Sequence, residues 1–127
     1  MKEKFQIEYP LHTIAKLIFP KLSTVTGLEQ WFADQVQANK NTFTFNWSGI
    51  KQVAEQTMIR ENQLVRFNWK DDPENTYFEF KLRVDDITNE MELIVTDFIE
   101  ESEKADAIEL WDAQIANLKH ILGLNNE

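Results

Sequence analysis

The chain has 127 residues and a net charge of −9, from 22 acidic and 13 basic side chains. This length suits a single domain over residues 1–127, large enough to bury a core without covalent staples. The acidic balance argues against nucleic acid and anionic membrane surfaces as partners, because both select for patches of Lys and Arg. The chain has no cysteine, which excludes thiolate catalysis and zinc–thiolate sites.

The opening of the chain predicts a strand and then a short helix. Residues 5–9 alternate apolar and polar side chains, as a half-buried strand does, and Pro10 closes the segment. Thr13 is placed to cap a helix through residues 14–19. Pro20 should end that helix, because the residue before a proline is biased away from helical geometry.

A second short helix and a run of strands follow. Thr26 and Glu29 have the spacing of a capping box. The expected buried face of this helix comprises Leu28, Trp31 and Phe32. Downstream, five segments alternate apolar and polar side chains and are separated by polar turns. These predicted strands comprise residues 43–47, 52–59, 65–69, 77–84 and 91–95.

The strand over residues 77–84 has the clearest alternation, which assigns its two faces. The side chains expected to point inward are Phe78, Phe80, Leu82 and Val84. Those expected to point outward are Tyr77, Glu79, Lys81 and Arg83.

The end of the chain predicts one long amphipathic helix from about Ala105 to Leu122. Its apolar residues recur at a/d spacing, which places them within one narrow arc. They are Ile108, Trp111, Ile115, Leu118 and Leu122. Such a seam must be buried, and a sheet is the only large surface upstream.

This order of elements predicts an α+β fold. Short turns between consecutive strands imply antiparallel pairing, and the alternation implies that one face of the sheet is covered. We expect a curved antiparallel sheet of about six strands wrapped around the long C-terminal helix, with two short helices after the first strand.

Four segments and the order of elements carry a resemblance to a known family. Residues 28–32 are similar to its segment ending in Trp-Phe, and residues 64–69 to its strand ending in an aromatic residue. Residues 93–98 and the helix over residues 111–118 agree as well. The chain thus resembles the START-like superfamily (SRPBCC, helix-grip fold), and within it the branch related to the activator of the heat shock protein 90 ATPase.

The resemblance implies a sheet that grips the terminal helix, with a cavity that in many members binds lipids or other apolar molecules. The residues expected to form its walls are Trp47, Phe67, Trp69, Phe80, Trp111, Ile115 and Leu118. They would hold a ligand by stacking and area burial. The alternative is that these side chains fill the core, each contributing about 1.5–3 kcal/mol by burial.

Gln114 is the candidate polar anchor of such a ligand. Helical spacing places it on the apolar side of the terminal helix, near the arc of Trp111. A buried amide without partners costs about 1–3 kcal/mol, so it needs a partner from the sheet, a water or a ligand. The alternative is that its stem follows the helix edge and its amide stays in solvent.

No catalytic or metal-binding constellation is visible in the sequence. The acidic pairs 71–72, 85–86 and 100–101 fall in predicted turns, where Asp bonds to local backbone. His12 and His120 lie far apart, without a carboxylate at ligand spacing. Nothing in the spacing of Tyr77, Asp97 and Arg66 singles them out. The prediction is therefore no enzyme, no metal and no cofactor.

Two functions stay open. The first is non-catalytic binding of a small apolar or amphipathic ligand between sheet and helix. The second is a protein-interaction module of the heat shock protein 90 ATPase activator type. That module would act through the outward residues Glu79, Lys81 and Arg83, or through its acidic surface. Either would be a cytoplasmic monomer or weak homodimer without a membrane span.

Overall fold

The computed structural model describes residues 1–124. Seven strands and three α-helices make up the fold, and a 3₁₀ turn at Glu101–Glu103 precedes the last helix. The strands are β1 (Glu3–Leu11), β2 (Gln35–Asn39), β3 (Thr42–Trp47), β4 (Ile50–Arg60), β5 (Leu64–Trp69), β6 (Tyr77–Val84) and β7 (Met91–Ile99). The helices are α1 (Ala15–Ser23), α2 (Val25–Glu29) and α3 (Lys104–Ile121).

All seven strands form one curved antiparallel sheet in the order β1-β7-β6-β5-β4-β3-β2. Six consecutive strands follow one another as hairpins, while the first strand pairs with the last, from Glu3 opposite Ile99 to Leu11 opposite Met91. The expected α+β, helix-grip architecture is confirmed. We call the face that carries the helices the inner face and the opposite face the outer face.

One strand was not predicted. Strand β2 contributes only Val36 to the core, and its other four residues are exposed. A strand with one buried side chain has no apolar alternation to detect, and it forms here because it completes the edge beside β3. The sheet therefore has seven strands rather than about six.

The irregular alternation over residues 52–59 has a structural cause. The register between β4 and β5 shifts between Gln56 and Met58, which marks a β-bulge. A bulge places two residues of one strand opposite one residue of its partner, so the period of two is interrupted.

Helix α1 departs from the prediction at both ends. Its N-cap is Ile14, which makes no side-chain cap, so Thr13 does not cap it. Pro20 lies inside the helix, which continues to Ser23. An interior proline costs about 3 kcal/mol. Ile18 and Leu22 lie one turn apart and are both 0% exposed. The free energy gained by burying them offsets the cost of the proline, so the helix continues beyond Pro20.

Helix α2 also begins differently from the prediction. Its N-cap is Thr24 rather than Thr26, and the Thr24 hydroxyl accepts a hydrogen bond from the Gly27 amide at 3.0 Å. Glu29 takes no part in a capping box, because its carboxylate accepts a hydrogen bond from the Val36 amide of β2. The expected burial of Leu28, Trp31 and Phe32 is confirmed.

The two short helices meet at Gly27. A Cβ at that position would lie 2.0 Å from the carbonyl oxygen of Pro20 and 2.6 Å from the Cα of Lys21. These are backbone atoms of α1 and cannot move aside like a flexible side chain. Glycine is therefore required for α2 to pack this closely on α1.

Helix α3 agrees closely with the predicted segment. Trp111, Ile115 and Leu118 are buried, and Ile108 and Leu122 pack partly buried against the same core. The Trp111 ring contacts Phe80 of β6, with ring centroids 5.9 Å apart. The helix therefore lies across the inner face, as expected. None of the helices described within residues 1–124 is long and apolar enough to cross a membrane.

The outer face is not uniformly exposed, and two residues of β6 differ in exposure from what their predicted direction suggests. Glu79 points outward but is only 8% exposed, and Val84 is exposed rather than buried. The Glu79 carboxylate accepts a hydrogen bond from Nε of Arg66 at 2.8 Å and forms an ion pair with its Nη2 at 2.7 Å. The Arg66 guanidinium in turn lies 4.0 Å above the ring centre of Tyr77. Val84, the last residue of the strand, is 51% exposed.

Candidate functional site

Aromatic rings fill the space between the middle of the sheet and α3. Phe45, Phe67, Phe78 and Phe80 are at most 1% exposed. The rings of Phe67 and Phe78 stack with centroids 4.9 Å apart. Phe32, in the segment after α2, lies among them and contacts six rings at centroid distances of 5.1–6.0 Å: Trp31, Phe45, Trp47, Phe78, Phe80 and Trp111.

The residues predicted to form the ligand walls all lie on this inner face, at different depths. The fully or nearly buried ones are Phe67, Phe80, Trp111, Ile115 and Leu118. Trp47 and Trp69, at the ends of β3 and β5, are partly exposed and pack against the core from its margin. The structure thus gathers the predicted set, and contact with a ligand stays a prediction.

A cleft of about 490 Å³ opens beside this aromatic cluster. Two of the predicted site residues, Trp47 and Gln114, line it together. The segment that follows α2 supplies one wall, and Asn117 extends the α3 side. We call this space the Trp47–Gln114 cleft.

Two N–H groups converge on one carbonyl in the Trp47–Gln114 cleft. Trp47 Nε1 donates to the carbonyl oxygen of Phe32 at 2.6 Å, and Gln114 Nε2 donates to the same oxygen at 3.0 Å. Gln114 therefore finds in the segment after α2 the partner that a half-buried amide requires. Both lone pairs of the Phe32 carbonyl are engaged, so the segment after α2 is tied to β3 and to α3 at one atom.

Asp97 links the sheet to α3, a role that the sequence pattern did not predict. Its carboxylate accepts a hydrogen bond from Nε1 of Trp111 at 2.8 Å, which fixes the start of α3 on β7. Burial raises the pKa of Asp97, against the hydrogen bonds from Trp111 and the Phe98 amide, which lower it. The available signal was the alternation of Leu93 and Val95, which continues inward to position 97.

Tyr9 provides a second polar contact between the sheet and α3. Its hydroxyl donates to Oδ1 of Asp112 at 2.6 Å. Partial burial and this hydrogen bond raise the pKa of Tyr9 well above its ordinary range. The phenol therefore stays protonated and keeps its donor at physiological pH.

A family model describing a START-like superfamily domain matches residues 1–124. The chain belongs to the START-like superfamily. Its fold and the resemblance of its sequence are thereby confirmed. START-like domains commonly bind ligands or act in interaction modules, and they are generally non-catalytic. A comparison with curated proteins finds no match.

Several solved structures are similar to this chain. BfR322 from Bacteroides fragilis is 38% identical, with a TM-score of 0.65 over 95% of this chain and 91% of that one. The Aha1 dimer from Colwellia psychrerythraea is 18% identical, with a TM-score of 0.80 over 98% and 99%. MLL2253 from Mesorhizobium loti is 14% identical, with a TM-score of 0.73 over 98% and 100%. The last two show likeness of fold alone.

The acidic turns at 71–72 and 85–86 of this START-like domain form local bonds, as predicted, whereas Glu100 of the third pair accepts a hydrogen bond from the N-terminal ammonium of Met1 at 3.0 Å. Asp72 accepts hydrogen bonds from the Thr76 hydroxyl and the Glu74 amide, which hold the pKa of its carboxyl below the usual value. Asp85 accepts from the amides of Ile87 and Thr88, with the same effect on its pKa. Across residues 1–124 no group of three or more His, Asp or Glu side chains is arranged to hold a metal ion.

Proposed function

We propose that this START-like domain binds a small amphipathic molecule without transforming it, at the Trp47–Gln114 cleft. The observation that carries the proposal is the convergence of two N–H donors on the Phe32 carbonyl, at the rim of a buried aromatic cluster. Gln114 could turn its amide to a ligand while Trp47 keeps the carbonyl satisfied. The cleft thus offers a polar contact beside apolar surface, which is what an amphipathic ligand needs.

The apolar part of the ligand would lie against Trp47 and Phe32. The rings of Phe45, Phe67 and Phe80 are 0% exposed, and all three contact Phe78, so they leave little room in the present arrangement. A longer apolar chain would have to displace the partly exposed Trp47 ring to reach the interior. The remaining predicted walls, namely Trp69, Trp111, Ile115 and Leu118, would then contact it.

The test uses neutral probes, 1-decanol and the flat alcohol 2-naphthol, followed by thermal shift and by ¹H–¹⁵N spectra. Binding raises the melting temperature by mass action and shifts the Trp47 indole and Gln114 amide signals. Gln114→Leu should weaken binding about fivefold, because one hydrogen bond contributes about 1 kcal/mol. Gln63→Leu, the same change in an exposed turn, is the matched control.

Two outcomes would contradict this proposal. One is equal affinity of the Gln114→Leu and Gln63→Leu variants for both alcohols. The other is the absence of any shift in melting temperature or in the Trp47 and Gln114 signals at saturating probe, which would leave the aromatic cluster as a filled core only.

A second candidate function is a protein-interaction module of the heat shock protein 90 ATPase activator type. The predicted outward row is no longer its basis, since Glu79 is buried. A groove of about 660 Å³ supports it instead, with Phe19, Pro20 and Ile59 among its lining residues. Ile59 is 53% exposed, a high value for an isoleucine on a sheet.

The two candidate functions use different surfaces and can be separated by one substitution. Ile59→Glu should abolish binding to a purified ninety-kilodalton heat-shock chaperone, measured by calorimetry, and leave binding of 1-decanol unchanged. Ile87→Glu is the matched control, because Ile87 is 94% exposed in a turn away from the groove. If wild-type protein gives no heat of binding with the chaperone, this second candidate fails.

The proposal includes a single domain over residues 1–127 that is a cytoplasmic monomer or weak homodimer and uses no cofactor. Sedimentation at increasing concentration measures the oligomeric state, and fractionation of cells measures the location. A stable higher oligomer or a membrane-bound pool would contradict this part.

A further inference from the structure

A second cleft, at the sheet end near the start of the chain, gathers positive charge in an acidic protein. Its volume is about 390 Å³, and three lysines line it together with Trp69: Lys2, Lys51 and Lys70. The whole chain holds only 13 basic residues against 22 acidic ones, so three lysines around one cleft are a local reversal of charge. We call this space the lysine cleft.

None of the three ammonium groups of the lysine cleft forms a close ion pair among residues 1–124, although the charge of Lys2 helps to lower the pKa of Asp72 and of Asp97. Among residues 1–124, the ion pairs within 4.0 Å involve the N-terminus, Arg66 and Arg83 as cations, and none of these three lysines. Backbone bonds hold two of the lysines in place. The Lys70 amide donates to the Val53 carbonyl at 2.9 Å, and the Lys2 amide to the Glu74 carboxylate at 3.1 Å.

The floor of the lysine cleft is an aromatic side chain with a fixed position. Trp69 is partly buried, and its ring packs against Phe78 with centroids 5.1 Å apart. An indole held in this way gives a flat apolar surface on which a planar ligand can stack without ordering the side chain anew. The cleft therefore combines a stacking surface with surrounding cations.

The acidic residues of the lysine cleft limit the charge that a ligand can carry. Asp71 and Asp72 also line it, so the sum over its charged side chains is three positive and two negative. Asp72 is kept ionised, and its oxygens are occupied by Thr76 and the Glu74 amide. This balance suits a single negative charge and disfavours a doubly charged phosphate.

We propose that the lysine cleft binds a small aromatic carboxylate, its ring stacked on Trp69 and its carboxylate among Lys2, Lys51 and Lys70. The site is separate from the Trp47–Gln114 cleft and does not depend on the function proposed there. It adds an anionic ligand class to a chain whose overall charge of −9 repels anions elsewhere.

The test titrates the full chain with 2-naphthoate and follows ¹H–¹⁵N spectra. Saturable shifts are expected at the Trp69 indole and at the Gln52 and Lys70 amides. The uncharged 2-naphthamide and the dianion 1-naphthyl phosphate should bind at least about fivefold more weakly, because each lacks the charge match. Raising the salt concentration should weaken 2-naphthoate binding, because the lysines are exposed.

Paired lysine variants separate a specific site from general charge attraction. Lys51→Gln with Lys70→Gln should weaken 2-naphthoate about fivefold. Lys40→Gln with Lys81→Gln removes the same charge from exposed positions outside the cleft and should leave binding unchanged. Equal weakening in both pairs, or equal binding of 2-naphthoate and 2-naphthamide to wild type, would overturn the proposal.

The spectra also keep the two proposed sites apart. Shifts of Trp47 and Gln114 by 2-naphthoate, with Trp69 unmoved, would overturn the lysine cleft and assign the anion to the other site. Shifts of Trp69 by 2-naphthoate, with no response of Trp47 to 1-decanol, would support the lysine cleft and contradict the function proposed at the Trp47–Gln114 cleft.

Discussion

Strand β6 carries a buried side chain on each of its two faces, but the two are buried by different means. On the inner face, Phe80 is 0% exposed among other rings. On the outer face, its neighbour Glu79 is 8% exposed beneath Arg66 and Tyr77, with no helix above it. Burial by rings depends on shape and area, whereas burial by long side chains depends on a charge pair. The same strand therefore resists different substitutions on its two sides.

The largest effect is expected on the inner face. Phe80→Ala should lower the free energy of unfolding by about 3–5 kcal/mol, because it leaves a cavity among rings that cannot collapse easily. Urea unfolding measures it, and Phe80→Leu is the milder control. A loss below about 1 kcal/mol for the alanine variant would mean that the interior is loosely packed.

A smaller effect is expected from breaking the outer pair. Glu79→Ala should cost about 1–3 kcal/mol, because the partly buried Arg66 loses its carboxylate. The double variant Arg66→Met with Glu79→Leu should recover most of that loss, since two apolar groups leave no unpaired charge. If the double variant is as unstable as Glu79→Ala, the pair is not what stabilises this face.

Substitutions at the margin of the inner face should lower the free energy of unfolding by less still. Tyr9→Phe removes the hydroxyl that donates to Asp112 and keeps the ring, so a loss of about 0.5–1.5 kcal/mol is expected. Thermal unfolding measures it. Asp112→Asn is the matched change at the acceptor, and its cost should be similar or smaller.

The smallest expected effect is on how steeply the free energy of unfolding changes with pH. Burial raises the pKa of Asp97 in the folded state, so the folded protein binds the proton more tightly than the unfolded chain. The contribution of Asp97 to the free energy of unfolding therefore decreases as the pH rises from the ordinary carboxyl pKa to the raised pKa of the folded state. Asp97→Asn should remove that decline, and the stability of wild type relative to the variant should fall between pH 3 and pH 7.

Urea unfolding of both proteins across that pH range checks the slope. A difference in stability that is constant with pH would contradict the raised pKa. A difference that grows in favour of wild type would mean that the hydrogen bonds from Trp111 and Phe98 outweigh burial.

The fold could be predicted well where periodicity was strong. The inward phase of Phe67 and Phe80 and the seam of α3 through Trp111 followed from alternation and helical spacing alone. The long helix and the antiparallel order were correct for the same reason. Elements without a pattern, above all β2, could not be found in this way.

The errors arose where tertiary contacts outweighed local signals. Pro20 did not end α1, because buried Leu22 extends the helix. Thr24 replaced Thr26 as a cap, since Glu29 bonds to β2 instead of its own helix. Glu79 does point outward, as predicted, but it is not exposed, because alternation indicates direction and says nothing about a pairing arginine on the neighbouring strand β5.

For the candidate site, the inner-face residues and the need of Gln114 for a hydrogen-bond partner could be predicted from the sequence. The identity of that partner could not. The Phe32 carbonyl comes from a segment 82 residues away, and no local rule predicts that Trp47 shares it. The role of Asp97 could not be predicted for a similar reason, since it depends on a hydrogen bond from Trp111, which lies 14 residues away on α3.

The bond between Glu29 and the Val36 amide has a consequence for assembly. An open sheet normally ends in a strand whose free backbone groups can recruit another chain and begin aggregation. Here the Val36 amide of the edge strand β2 already donates to the Glu29 carboxylate, and a partner strand would have to displace that carboxylate. Addition of a strand along β2 is thereby discouraged, so self-association at this edge should use side chains rather than strand pairing.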